Sequence, residues 1–221
     1  MQINQPAKNV ILAIDTATCG THLALYQPQS QTCDTIYMPE MRGQSSHLVP
    51  EIDVLLRHAG CEYPNIETIV AITGPGSFTG IRVGLACAMA LQIGLKQTLI
   101  GLDAFTAYRA MNRTGPLAVI LETFRDDYFM AIYEGDAIQP AHTGLVTPQD
   151  IPNGLTLCGS GMARLQGMSA DQAAIDWKTV LPFLHAEGYL QPQNSVKRLT
   201  PYYLRDADTS NSRKTQWSID S

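Results

Sequence analysis

The chain has 221 residues, 45% of them apolar and 16% charged, with a formal net charge of −5 and a sequence pI near 5.4. That length supports one large or two small hydrophobic cores, and the apolar content excludes a disordered chain. The acidic balance argues against a protein that grips RNA or an anionic membrane by itself, although a partner subunit can supply a basic surface.

Five cysteines, at 19, 33, 61, 87 and 158, are odd in number and form no CxxC pair, which fits reduced thiols in a cytoplasmic protein. The N-terminus lacks the basic, apolar and small-residue order of a signal peptide. The longest uncharged run, between Arg82 and Lys96, falls short of the ~20 residues that span a bilayer. The expectation is a soluble cytoplasmic protein without membrane association.

In chain order, the run 9–15 (NVILAID) predicts a strand covered on both faces. A small-residue turn at 16–20 leads to an alternating strand at 21–26, so the two form a hairpin. Residues 45–60 predict a helix, with Ser45 and Ser46 offering N-cap oxygens, Leu48, Ile52, Leu55, Leu56 and Ala59 at helical spacing, and Gly60 at the C-terminal end. His47 and Glu51, four apart, share one face of it. A strand at 68–73 precedes the loop from Gly74 to Gly80, a nearly uncharged helix runs on to Gly94, and another strand follows at 98–102. The order β-β-α-β-α-β is an α/β layer architecture.

The second half repeats the outline less clearly. Strands at 117–122 and 128–133 flank the turn Arg125-Asp126-Asp127, a short strand at 155–157 leads into Gly159-Ser160-Gly161, and 179–187 predicts a helix with a possible break at Pro182. The break at 112–116 divides the chain into an N-terminal lobe, 1–110, and a smaller C-terminal lobe, 111–205. Residues 206–221 are polar and predict a flexible tail.

Three features carry candidate chemistry. Asp15, at a strand end before small hydroxyl residues, either holds a phosphate or metal or caps its own turn. The loop Gly74–Gly80 either presents amides and a helix N-terminus to an anion or sets close helix–strand packing. It matches neither a Walker A loop, nor a GxGxxG fingerprint, nor a nucleophile elbow. Asp15, Gly74, Gly76 and Ser77 are therefore the candidate phosphate contacts. In the third feature, the helix from Ile81 to Gly94, Gly80, Gly84 and Ala88 lie four apart, a spacing that admits a second helix closely, the 45–60 helix, a partner's or both, unless the helix is simply the centre of a larger monomer core. The five scattered histidines suggest no metal site.

Together, ILAIDTAT at 11–18, HLVPEIDVLL at 47–56, TGPGSFTGIRVG at 73–84, TLIGL at 98–102 and LTPYYLRD at 199–206 resemble the TsaB (YeaZ) family. The likeness is strong over 9–110 and thin afterwards, apart from the YLR motif at 203–205. The resemblance implies an actin-like/sugar-kinase/Hsp70 (ASKHA) fold, with two lobes of mixed β-sheet flanked by helices. The catalytic relative TsaD carries two metal-binding histidines four apart after the strand matching TLIGL. Here Ala104 and Tyr108 stand at those places, without imidazole ligands, so the metal site is expected to be absent.

The implied role is that of a non-catalytic partner subunit. It binds and stabilises a TsaD-type catalytic subunit, with a TsaE-type ATPase joining, in synthesis of threonylcarbamoyladenosine at position 37 of tRNA. ATP or ADP and a metal are expected on the partner subunits, and tRNA only through the complex. No catalytic residue is assigned to this chain. His47, Leu48, Glu51, Leu55, Ile81, Leu85 and Met89 are the interface candidates, and homodimerisation through the same helices is expected when the partner is absent. Leu85→Asp is accordingly expected to disrupt association more than folding. The alternatives are an ASKHA-fold enzyme active by itself, as an ATP-dependent phosphotransferase or threonylcarbamoyl transferase, and a self-associating protein unrelated to tRNA modification.

Overall fold

The computed structural model of the protein describes residues 9–205, and the expected polar tail lies outside the described residues. The first sheet has the strand order β3-β2-β1-β4-β5. Its elements are β1 (Val10–Asp15), β2 (Thr21–Gln27), β3 (Thr32–Met38), β4 (Ile66–Gly74) and β5 (Thr98–Asp103). All six residues of β1 are buried, because it runs antiparallel to β2 on one side, parallel to β4 on the other, and is covered on both faces. Helices α1 (Gln44–His58) and α2 (Phe78–Leu95) pack together on one face, and α3 (Ala104–Met111) and α5 (Trp177–Ala186) on the other.

The second sheet, of order β8-β7-β6-β9, comprises β6 (Leu117–Glu122), β7 (Tyr128–Tyr133), β8 (His142–Val146) and β9 (Thr156–Cys158), with the short α4 (Met162–Gln166) after β9. These are two mixed sheets flanked by helices, the ASKHA-type arrangement.

β3 is absent from the sequence expectation. It is an edge strand whose residues are only half-buried or exposed, so Asp34 and its threonines dilute the alternation that betrays a covered strand. α3 is too short for its apolar spacing to show. Its start is fixed by Asp103, whose carboxylate accepts the Thr106 amide at 2.9 Å. α1 begins one residue earlier than expected, after Gly43 in the left-handed region, and Ser46 Oγ donates back to the Gly43 carbonyl instead of capping. His47 and Glu51 form no ion pair among the described residues, and the His47 ring lies over Gly43.

Segments from beyond the break at 112–116 return to the first sheet. α5 belongs to the second half of the chain but packs on β2 and β3 of the first sheet. Residues 195–205 then run back along β5. The Val196 amide donates to Leu99 O at 2.9 Å, Leu199 is buried, and the Tyr202 amide donates to Thr73 O at 2.8 Å. Arg109, buried at the end of α3, donates to the carbonyls of Asn112, Gly115, Gly135 and Ala137. One guanidinium thus ties the connection between the sheets to the β7–β8 loop.

α2 settles on the first sheet through its glycines. A Cβ on Gly80 would overlap the Thr16 carbonyl oxygen, one on Gly84 the Thr16 hydroxyl, and one on Gly76 the Ala17 carbonyl oxygen. The Thr16 hydroxyl donates to Gly80 O at 2.6 Å, and the Ser77 amide donates to Ala17 O at 2.8 Å. The stripe Gly80, Gly84 and Ala88 therefore admits the β1–β2 turn, not a second helix. α2 has 18 residues and a mean hydropathy of 1.5. Among the described residues it is one helix long and apolar enough to cross a membrane, a span that the run from Arg82 to Lys96 understates because the helix begins at Phe78.

Two outcomes follow from this packing. Gly80→Ala should destabilise the fold by about 2 kcal/mol, overpacking against Thr16 outweighing the gain in helix propensity. Gly94→Ala, where a Cβ meets nothing within 4 Å, should stabilise it by about 0.5–1 kcal/mol; urea midpoints of both variants test the contrast. His22 lies between Tyr37 and Trp177, and burial lowers its pKa from 6.5 to about 4, partly opposed by Asp176. Between those values the unfolded chain takes up a proton that the folded chain refuses, so stability falls as pH drops from about 6.5 towards about 4. From pH 7 to pH 5 this amounts to about 2 kcal/mol, and His22→Leu should flatten that part of the pH dependence in urea titrations.

Candidate functional site

The phosphate-loop candidates come together, but their polar atoms are engaged within the chain. Asp15 is 1% exposed. Its carboxylate accepts the amides of Ala17 at 2.8 Å and Thr18 at 3.1 Å, and also the Thr18 hydroxyl. Burial raises its pKa, the three hydrogen bonds opposing the rise. Ser77 is the N-cap of α2, its hydroxyl accepting the Gly80 amide at 3.2 Å. Gly74 has φ 114 and is followed by a cis peptide to Pro75, and the Tyr202 carbonyl occupies the place its side chain would take. A phosphate would have to displace these contacts, so the loop fits helix–strand packing better than an anion clamp. At the metal positions of the catalytic relative, Ala104 is buried and Tyr108 donates its hydroxyl to Ala173 O at 2.7 Å.

The surface of α2 has the opposite character. Five of its 18 positions, Gly80, Ile81, Gly84, Leu85 and Ala88, are buried against the sheet. Arg82, Ala86, Ala90, Ile93 and Gly94 are exposed, with Val83, Cys87 and Met89 half-buried beside them. Ile93 is 73% exposed. Burial pushes the Cys87 thiol up to about 11, so it stays neutral and acts as a small hydrophobe on this face. Beside it, α1 exposes Val49, and the groove between the two helices, about 500 Å³, is lined by Ser45, Leu48, Val49, Phe78, Arg82 and Ala86 among others. The helix thus keeps an apolar row, Ala86, Ala90, Ile93 and Gly94, outside the chain's own core.

Of the seven interface candidates, His47 is exposed and Glu51 and Met89 are half-buried. Leu48, Leu55, Ile81 and Leu85 are 1–2% exposed in the chain's own core and have little surface to offer a partner. Val49, Ala86, Ala90 and Ile93 are the accessible residues the sequence reading passed over. The signal was present, since Ala86, Ala90 and Gly94 repeat the four-residue spacing of Gly80, Gly84 and Ala88. Spacing alone does not tell which stripe meets the sheet.

A second concavity, about 340 Å³, opens between the glycine loop at 75–79, the β6–β7 turn at 123–125 and the segment 202–205. Arg205 closes one side by pairing with Asp127. Arg164 braces the turn through Glu122 at 3.0 Å and the carbonyls of Arg125 and Asp127.

The family described as tRNA N6-adenosine threonylcarbamoyltransferase (TsaD) matches residues 38–135. The tRNA threonylcarbamoyladenosine biosynthesis protein TsaB of Escherichia coli is 30% identical over 131 residues, covering 57% of this chain and 55% of that protein. The TsaB of Haemophilus influenzae is 32% identical over 97 residues, 44% of this chain and 40% of that protein. The chain thus spans about half the length of these curated relatives. The solved structure of YeaZ from Pseudomonas aeruginosa superposes with a TM-score of 0.66 at 19% identity, over 89% of this chain and all of that one, and shows the shared fold. The sequence matches converge on TsaB proteins and their TsaD relatives, the solved YeaZ structures share the fold, and together they support assignment of the chain to the TsaB (YeaZ) family.

Proposed function

We propose that the chain serves tRNA threonylcarbamoyladenosine synthesis as a docking subunit, binding and stabilising a TsaD-type catalytic subunit and making no bond itself. The observation that carries this reading is α2, an 18-residue apolar helix with five positions in the chain's own core and an exposed row of small and branched residues beside α1. Covering apolar surface at about 25 cal/mol per Å² favours association, and small residues let the backbone of a second helix come close. The names of the TsaB relatives support the pathway, and the match to the TsaD family over residues 38–135 supports a catalytic partner of similar fold.

In this reading ATP or ADP and the metal are held by the partner subunits, a TsaE-type ATPase joins the pair, and tRNA is met only through the complex. The engaged state of Asp15 and Ser77 favours that division of labour. When the catalytic subunit is absent, the same face supports a homodimer, and the work is done in the cytoplasm.

Size-exclusion chromatography with light scattering tests the reading on this protein alone and mixed with the catalytic subunit of the same organism. A stable mixed species is expected, and separate elution in the presence of the ATPase and nucleotide would refute it. Ala90→Asp, at an exposed position, should weaken that association by about 100-fold while leaving the circular dichroism and melting curve unchanged, since a desolvated unpaired carboxylate costs several kcal/mol in an interface and little in water. Leu85→Asp, at a core position, should instead unfold the chain. Depletion of the protein should lower the threonylcarbamoyladenosine content of tRNA, and an unchanged level would remove the chain from the pathway.

A further inference from the structure

α2 carries a single charge, Arg82. It is exposed and borders the docking groove with Val49, Val83 and Ala86. Its guanidinium is held in place. The central carbon lies 3.8 Å from the centroid of the Phe78 ring, and Nε donates to the Tyr203 hydroxyl at 3.3 Å. The Tyr203 ring stacks on the other ring of the trio, its centroid 4.9 Å from that of Phe78 with the planes 30° apart.

Tyr203 is placed in turn by the returning C-terminal segment. That segment is pinned by Tyr202 on Thr73 and by Arg205 on Asp127 of the second sheet. Among the described residues no carboxylate pairs with Arg82. A guanidinium has five N–H donors, and Tyr203 occupies one. A partner that covers this groove removes water from the remaining donors and must replace it, because a desolvated unpaired cation opposes binding. Stacking on an aromatic ring also fixes the plane in which a two-pronged acceptor meets it.

We propose that Arg82, preorganised by Phe78 and Tyr203, is the orienting anchor of the docking face and takes a carboxylate of the catalytic subunit in two parallel N–H···O bonds. The inference rests on the docking reading above and names the partner chemistry at that face. It also gives the YLR motif a role, since Tyr203 and Arg205 hold the anchor from the far end of the chain. A protein carboxylate is favoured over an RNA phosphate. The groove is apolar, its lining offers no second cation, and the chain carries a net charge of −5, whereas surfaces that track phosphates present rows of cations.

The test uses the full-length chain and the purified catalytic subunit of the same organism, with affinities measured at low and high salt and circular dichroism on every variant. Arg82→Ala should bind at least about tenfold more weakly and lose part of the salt dependence, and Tyr203→Phe, which keeps the stack but removes the acceptor, a few-fold more weakly. Arg82→Gln repeats the measurement should Arg82→Ala fail to fold. In the Arg82→Lys complex, carbodiimide should couple the introduced amine to an aspartate or glutamate of the catalytic subunit, located by mass spectrometry. Wild-type affinity in folded Arg82→Ala, or coupling to no partner carboxylate, overturns the inference and leaves the docking reading standing. Failure of the wild type itself to bind removes both. A loss confined to tRNA binding by the free chain would assign Arg82 to phosphate and overturn the carboxylate.

Discussion

The closest constraint in the molecule is the seat of the β1–β2 turn on the glycine ridge of α2. Thr16 and Ala17 approach so near that Gly76, Gly80 and Gly84 have no room for a side chain, and the Thr16 hydroxyl completes the contact by donating to Gly80 O. That seating fixes the rotation of α2 about its own axis. Once Gly80, Gly84 and Ala88 face the sheet, Ile81 and Leu85 enter the core with them. The stripe carrying Ala86, Ala90 and Gly94 is then turned outward. The exposed apolar stripe is therefore a consequence of how the glycines pack.

The same seating accounts for the quiet chemistry of the loop. Asp15 is buried with its oxygens turned onto Ala17 and Thr18, and Ser77 caps the helix it precedes. Here they stabilise a turn and a helix start, local roles that need no ligand. The position of Tyr108, donating to Ala173, has the same character. Residues at places of chemical interest have been drawn into the scaffold, and the surface left with unmet physical demand is the apolar helix.

The chain is also more tightly joined than two successive lobes. α5 crosses back to the first sheet, residues 195–205 run from β5 to the end of β4, and Arg205 reaches Asp127 in the β6–β7 turn. The β6–β7 turn, the end of β4 and the exposed Arg82 of α2 are connected through that one segment. Arg205, paired with Asp127, and Tyr203, bonded to Arg82, stand two residues apart on it.

Periodicity and turn chemistry made the main elements legible in the sequence. The wholly apolar run at 10–15, the glycine loop, the uncharged helix after it and the strands at 117–122 and 128–133 all stand where local pattern puts them. The family resemblance rests on the first three of these, with 47–56, 98–102 and 199–206. β3 escaped because an edge strand buries too little to impose a pattern, and α3 because a two-turn helix is too short for its apolar spacing to show. Which side of α2 meets water could not be read either, because Gly80, Gly84 and Ala88 share one spacing with Ala86, Ala90 and Gly94, and a periodic stripe has no label for its neighbour. The tertiary structure decided it through Thr16, a residue 64 positions from Gly80 whose backbone fits only over the stripe that begins with two glycines.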